Sequence, residues 1–156
     1  MTEAARPATA ADLDRIAVLV AEAVAEQAHA RGGSVWSVRE ARPLPPGPSL
    51  ARDLGDPDCL VLAGTLDGAV LGYAVVRAEG LRSGRPLGVL SDIYVEPEAR
   101  EIGLGEALVD AVVTWCTERG CVGIDALALP GNRSTKNFFE TFGFTARALV
   151  VHKALP

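Results

Sequence analysis

Residues 92–108 read Asp-Ile-Tyr-Val-Glu-Pro-Glu-Ala-Arg-Glu-Ile-Gly-Leu-Gly-Glu-Ala-Leu, an extended apolar run stopped by Pro97, a turn with two glycines, and the start of a helix. A strand that passes so directly into a helix must lay that helix back on its own sheet, which restricts the chain to an α/β arrangement. The helix reading rests on period: Leu104, Ala107, Leu108, Ala111, Val112 and Trp115 form one apolar stripe. The first amides of such a helix have no internal partner, and the helix dipole favours negative charge beside them. Gly103 and Gly105 let a pyrophosphate approach the backbone, so the junction is a candidate phosphate site. The pattern Arg-x-x-Gly-x-Gly over 100–105 is neither the full G-x-G-x-x-G nor a Gly-Lys-Ser/Thr loop. Read alone, the spacing serves equally well as a plain strand-to-helix turn.

The rest of the chain supplies elements around this junction. Arg6-Pro7-Ala8 reads as a first strand, and Thr9 with Asp12 as a capping-box variant opening a helix. Leu13, Ile16, Ala17, Val20, Ala23 and Val24 share one face of that helix, which Gly32-Gly33 ends. Residues 34–48, with Trp36 and a proline-rich run, read as a stiff loop, and Ser49 as the cap of a short helix reaching Leu54. Residues 59–65 and 69–78 flank Leu66-Asp67-Gly68, a hairpin signal. Residues 87–95 and 122–129 are further strands, Asn132 caps a helix ending near Phe142, and 144–152 is expected to return as a final strand.

A length of 156 residues with 49% hydrophobic and 22% charged side chains suits one domain, 1–156, with a sizeable core. The net charge of −5 disfavours nucleic acid as a partner and mildly suits a cationic ligand. Three cysteines without C-x-x-C or His-paired spacing read as reduced thiols, with no metal site. No apolar run is long enough to span a bilayer and residues 1–8 lack a signal-peptide core, so a cytoplasmic protein with no membrane partner is expected.

A second patch, Asn132-Arg133-Ser134-Thr135-Lys136-Asn137-Phe138-Phe139-Glu140-Thr141-Phe142-Gly143-Phe144, lies downstream of the junction. With both in view, the chain resembles the GCN5-related N-acetyltransferase (GNAT) superfamily. That resemblance implies a mixed, mostly antiparallel sheet splayed between the fourth and fifth strands and flanked by about four helices. It implies acetyl-CoA, or another acyl-CoA, as co-substrate and direct attack by a primary amine in a ternary complex. The acceptor is then a small-molecule amine, and a homodimer is possible. Acyl-CoA contacts map to Ile93, Tyr94, Val95, Arg100, Glu101, Ile102, Gly103, Leu104, Gly105, Glu106, Asn132 and Phe139. Arg133 and Lys136 are further candidates for the phosphates.

Asp92, at the expected bulge of the fourth strand, is the candidate general base, with Glu79 and His29 behind it. Phe139 stands where the family commonly carries a proton-donating tyrosine, so the acid role passes to Tyr94, Tyr73, Ser134 or water, or goes unfilled. Glu101 places a carboxylate in the phosphate turn, a second departure. Trp36 and Tyr73 are candidates to line the acceptor pocket. The two departures keep open a binding-only regulatory module, and acylation of a protein lysine or N-terminus is a further alternative.

Overall fold

The computed structural model describes residues 2–156. The strands are β1 (Glu3–Pro7), β2 (Cys59–Leu66), β3 (Ala69–Gly80), β4 (Pro86–Val95) and β5 (Ile124–Ala126). The helices are α1 (Leu13–Ala28), α2 (Gly33–Trp36), α3 (Gly47–Gly55), α4 (Leu104–Glu118) and α5 (Arg133–Thr141), with 3-10 turns at Ala10–Asp12 and Pro97–Ala99. The sheet runs β1-β2-β3-β4-β5, antiparallel as far as β4 and parallel between β4 and β5. This is the mixed, mostly antiparallel sheet expected, with five helices where about four were anticipated.

Side chains alternate along β2 and β3 and so build a core on each face of the sheet. Leu62, Ala74 and Val76 pack with Leu104, Leu108 and Val112 of α4, and Val61, Ala63, Tyr73 and Val75 pack with Ile16, Leu19 and Leu50 of α1 and α3. In β4 the alternation is broken once. Val75 pairs with Asp92 but Val76 pairs with Leu90, leaving Ser91 as a bulge. Leu90 and Ile93 therefore both face α4, while Asp92 is turned to the α1 and α3 side.

The parallel pairing joins 88–90 to Ile124–Ala126, is prolonged at its start by the Val122 amide donating to the Pro86 carbonyl and the Gly88 amide to the Gly123 carbonyl, each at 2.9 Å, and stops after Leu90. Residues 92–95 keep their bonds to β3 but have no strand partner on the other side among the described residues, so the sheet is splayed between its fourth and fifth strands.

Several sequence expectations are corrected. Residues 144–156 form no strand: β5 is three residues long and offers too little ladder, and Leu149, Val150 and Val151 stay 83–91% exposed. Arg147 ties this segment to Asp125 by an ion pair. The fifth strand is likewise shorter than the expected 122–129. The loop expected from residue 34 begins as the single turn α2, packed so closely on the end of α1 that a Cβ at Gly33 would lie 2.2 Å from the Gln27 carbonyl oxygen. Ser49 does not cap α3, which starts two residues earlier; its hydroxyl instead donates to the Pro46 carbonyl at 3.1 Å.

Candidate functional site

The turn into α4 is held by Gly103, whose φ of +86° is a left-handed conformation suited to glycine. The first intrahelical bond runs from the Ala107 amide to the Gly103 carbonyl at 3.0 Å, so the amides of Leu104, Gly105 and Glu106 have no helical partner. Such a nest fits an anion. Glu101 and Glu106 are exposed, and Ile102 and Leu104 pack into the α4-side core. Gly105 answers a packing need: a Cβ there would lie 2.9 Å from Cε1 of Phe138. The two sequence motifs are thus in direct contact.

Arg100 is committed elsewhere than to that nest. Its Nε donates to the Val95 carbonyl at 2.8 Å, its two terminal nitrogens donate to the Glu26 carboxylate of α1 at 2.9 and 2.6 Å, and its guanidinium lies 5.3 Å from the Tyr94 ring centre. The Glu26 hydrogen bonds, working against burial, raise its pKa further.

A cleft of about 1190 Å³ lies beside the open edge of β4, between α1, the connection after α2, and β5 with the C-terminal segment. It brings together Trp36, Tyr73, Asp92, Ile93, Tyr94 and Phe139 among the expected site residues, whereas Val95, residues 100–106 and Asn132 lie outside it. Asn132 caps α5, its Oδ1 accepting from the Thr135 amide at 3.0 Å, and its Nδ2 donates to Gln27 at 3.1 Å. Phe139 is 6% exposed and packs between Phe138 and Phe144 with ring centres 5.5 and 5.2 Å away.

The Asp92 carboxylate carries a full set of donors. Oδ1 accepts from Arg42 Nη2 at 3.0 Å and from the Ser91 hydroxyl at 2.6 Å. Oδ2 accepts from Arg42 Nε at 3.0 Å and from the Tyr73 hydroxyl at 3.0 Å. A carboxylate offers about four acceptor positions, so none is left for the proton of an incoming amine. Burial works against the charge of Arg42, but the hydrogen bonds and charge of Asp92, then those of Asp53, prevail and raise its pKa. Tyr73 is pushed well above the usual phenol range by burial first and by the Asp92 charge second, so it stays protonated. Tyr94 is raised by burial and then by Glu26 and Glu22, and it too keeps its proton near neutrality.

The remaining candidates are dispersed. Glu79 and His29 are exposed and stand apart from the cleft lining. The cysteines are free; burial pushes Cys59 up to about 11 and Cys116 up to about 12, the latter aided by Cys121. Among the described residues no cluster of three or more metal-ligating side chains occurs. Sequence reasoning missed Arg42, Glu26 and Gln27, whose partners lie 50 to 105 residues away and leave no local signal.

The chain is similar to several known proteins in sequence and in fold. An aminoglycoside N(6')-acetyltransferase type 1 of Klebsiella aerogenes is 32% identical over 105 residues, covering 65% of this chain and 68% of the relative. A protein of the same description from Stenotrophomonas maltophilia is 37% identical over 78 residues, 46% of this chain and 50% of the relative. The chain therefore spans about half the length of the Stenotrophomonas relative it matches. Among solved structures, the tetramutant of the BH1408 protein from Bacillus halodurans superposes with a TM-score of 0.82 at 18% identity, over 97% of this chain and 99% of that one. AAC(6')-Iy in complex with a CoA bisubstrate analog superposes with a TM-score of 0.74 at 18% identity, over 100% and 99% of the chains. The sequence pattern of the family described as Acetyltransferase (GNAT) matches residues 21–144. This chain belongs to the acetyltransferase (GNAT) family.

Proposed function

We propose that the protein is an N-acetyltransferase that moves an acetyl group from acetyl-CoA to a primary amine of a small molecule, by direct attack in a ternary complex. The open edge of β4 carries this reading: backbone at 92–95 that lacks a strand on one side runs beside a cleft large enough for an acceptor, and the chain then turns into the free amides of α4. Acetyl-CoA supplies an activated thioester. The amides of Leu104, Gly105 and Glu106 hold its anionic part, and the backbone groups of Ile93, Tyr94 and Val95 that are taken neither by β3 nor by Arg100 pair its extended arm in place of a missing strand. The same strand amides stabilise negative charge developing on the carbonyl oxygen.

With its acceptor positions filled, Asp92 orders the site, and the attacking amine sheds its proton to water at the open end of the cleft. Tyr94, which lines the cleft and keeps its proton, donates to the departing thiolate. The aminoglycoside relatives support an aminosugar or similar polyamine as acceptor. Three free thiols suit a cytoplasmic setting, and no helix among the described residues is long and apolar enough to cross a membrane. The exposed run 149–151 and the outer edge of β5 support pairing with a second copy, which a monomeric mass in light scattering would refute.

Thiol release from acetyl-CoA with a panel of aminoglycosides, polyamines, amino acids and peptides tests the reaction. Release that depends on a small amine is expected. Acetyl-CoA binding without release would favour the binding-only module, and no binding at millimolar cofactor would remove the reading altogether.

A further inference from the structure

The connection from α2 to α3 carries prolines at 43, 45 and 46, which have no amide to donate, and the backbone bonds of residues 37–41 run back only to Gly33, Val35 and Trp36 of α2, so they do not tie the connection to β4 or α3. A side chain does so. Arg42, with 7% of its side chain exposed, reaches Asp92 of β4 through Nε and Nη2 at 3.0 Å each, Ser49 Oγ through Nη1 at 2.9 Å, and Asp53 of α3 at 2.8 Å. Asp53 in turn receives Arg77 of β3 at 3.1 Å. The planar fork of a guanidinium spans both carboxylates at once, which a lysine cannot do.

We propose that Arg42 is a positioning residue for acyl transfer: it plugs an anionic socket formed by Asp92 and Asp53 and thereby clamps the acceptor wall onto the strand that carries Ile93 and Tyr94. That wall includes Trp36 and Glu40, both in the cleft lining. The bulge at Ser91 is what makes the clamp possible, since it turns Asp92 to the Arg42 side while Leu90 and Ile93 stay on the other.

This inference rests on the proposed acetyl transfer for its kinetic consequence, though the clamp itself is read without catalysis. The wild-type protein, Arg42→Ala and Arg42→Lys are compared by hydrogen exchange of peptides covering 37–46 and α4, by acetyl-CoA titration, and by thiol release with kanamycin and spermidine. In Arg42→Ala, exchange over 37–46 accelerates by about tenfold or more while α4 is unchanged. The acceptor KM rises by about tenfold, with kcat and acetyl-CoA affinity held within about threefold, the split expected when only acceptor positioning is lost. Methylguanidinium at tens of millimolar restores both readouts toward wild type. Arg42→Lys, which keeps the charge but loses the fork, falls between the two and serves as the comparison if Arg42→Ala does not fold.

Unchanged exchange over 37–46 in the variants overturns the clamp. Equal losses of acceptor KM and acetyl-CoA affinity overturn the positioning role in favour of general destabilisation. A wild-type protein that neither binds acetyl-CoA nor releases thiol removes the proposed reaction instead, and hydrogen exchange then still decides the clamp.

Discussion

Replacing Gly105 with alanine separates two roles that one glycine can have at a helix start. If the residue is there so that a pyrophosphate can approach the backbone, the added methyl weakens acetyl-CoA binding and leaves stability alone. The structure argues for the other role, because the new Cβ would stand 2.9 Å from Cε1 and 3.1 Å from Cζ of Phe138. Carbon atoms in contact prefer about 3.5–4.0 Å, so the ring or the helix must give by roughly 0.5–1 Å. Overpacking of this kind costs about 1–3 kcal/mol. Alanine recovers up to about 1 kcal/mol of helix propensity, less in the first turn where the helix has barely begun.

The net loss expected is about 1–2 kcal/mol, which for a chain of this size lowers Tm by roughly 2–8 °C. Acetyl-CoA affinity, measured by calorimetry at a temperature where both proteins are folded, changes by less than about threefold, under 0.7 kcal/mol. Phe138→Leu removes the ring edge, so the double variant Gly105→Ala/Phe138→Leu is more stable than the two single losses imply, with a coupling of about 1 kcal/mol by chemical denaturation. A Gly105→Ala protein as stable as wild type, with cofactor affinity down tenfold and strictly additive behaviour with Phe138→Leu, would refute the packing account.

Tyr94→Phe is expected to lower kcat by about 10- to 100-fold with acetyl-CoA affinity little changed, in stopped-time thiol release; unchanged kcat would remove the tyrosine from the reaction. With water taking the amine proton, kcat/KM should climb with pH toward the pKa of the acceptor itself. A separate inflection between about pH 5 and 8 that disappears in Asp92→Asn would return the base role to that residue. Asp12 is held from 3.8 down to about 2 by hydrogen bonds from Arg6, against burial and with help from the Thr9 amide. Its folded pKa lies below the unfolded one, so its stabilisation is present above about pH 4 and fades as pH falls toward 2. Because Arg6 is 44% exposed, Asp12→Asn is expected to lose roughly 1 kcal/mol at pH 7 by urea denaturation, and only a small part of that near pH 2. At pH 8 the thiolate fraction is about one in a thousand for Cys59 and one in ten thousand for Cys116, so mass spectrometry should find neither alkylated by iodoacetamide within minutes.

What could be read from sequence was whatever a local pattern controls. The 3.6-residue stripe from Leu104 to Trp115 fixes α4, and the Asp67-Gly68 turn between alternating runs fixes the β2-β3 hairpin, with Asp67 and Gly68 both at positive φ. The glycines at 103 and 105 announce a tight helix entry, but only the folded chain shows that one serves a left-handed backbone and the other an aromatic ring. Residues 144–152 carry strand-like alternation, yet a strand exists only against a neighbour, and β5 gives out after three residues. Arg100 reads as a phosphate ligand because its partner, Glu26, lies 74 positions away. Asp92 reads as a free base for the same reason: nothing near it in sequence reveals that Arg42, 50 positions away, fills two of its four acceptor positions, beside Tyr73 and Ser91.

The short parallel pairing between β4 and β5 also bears on how the molecule holds together when heated. Beyond 86–90 and 122–126 no backbone ladder among the described residues links β5 and α5 to the larger sheet, and the join relies on contacts such as Phe138 against the first turn of α4. Units joined by few backbone bonds open at lower free energy than the core they rest on. A molecule that lies along the free edge of β4 and also touches α5 spans that seam and resists its opening. On the function proposed above a bound substrate is then also a structural brace, and part of its affinity is returned as stability of the segment from β5 onward.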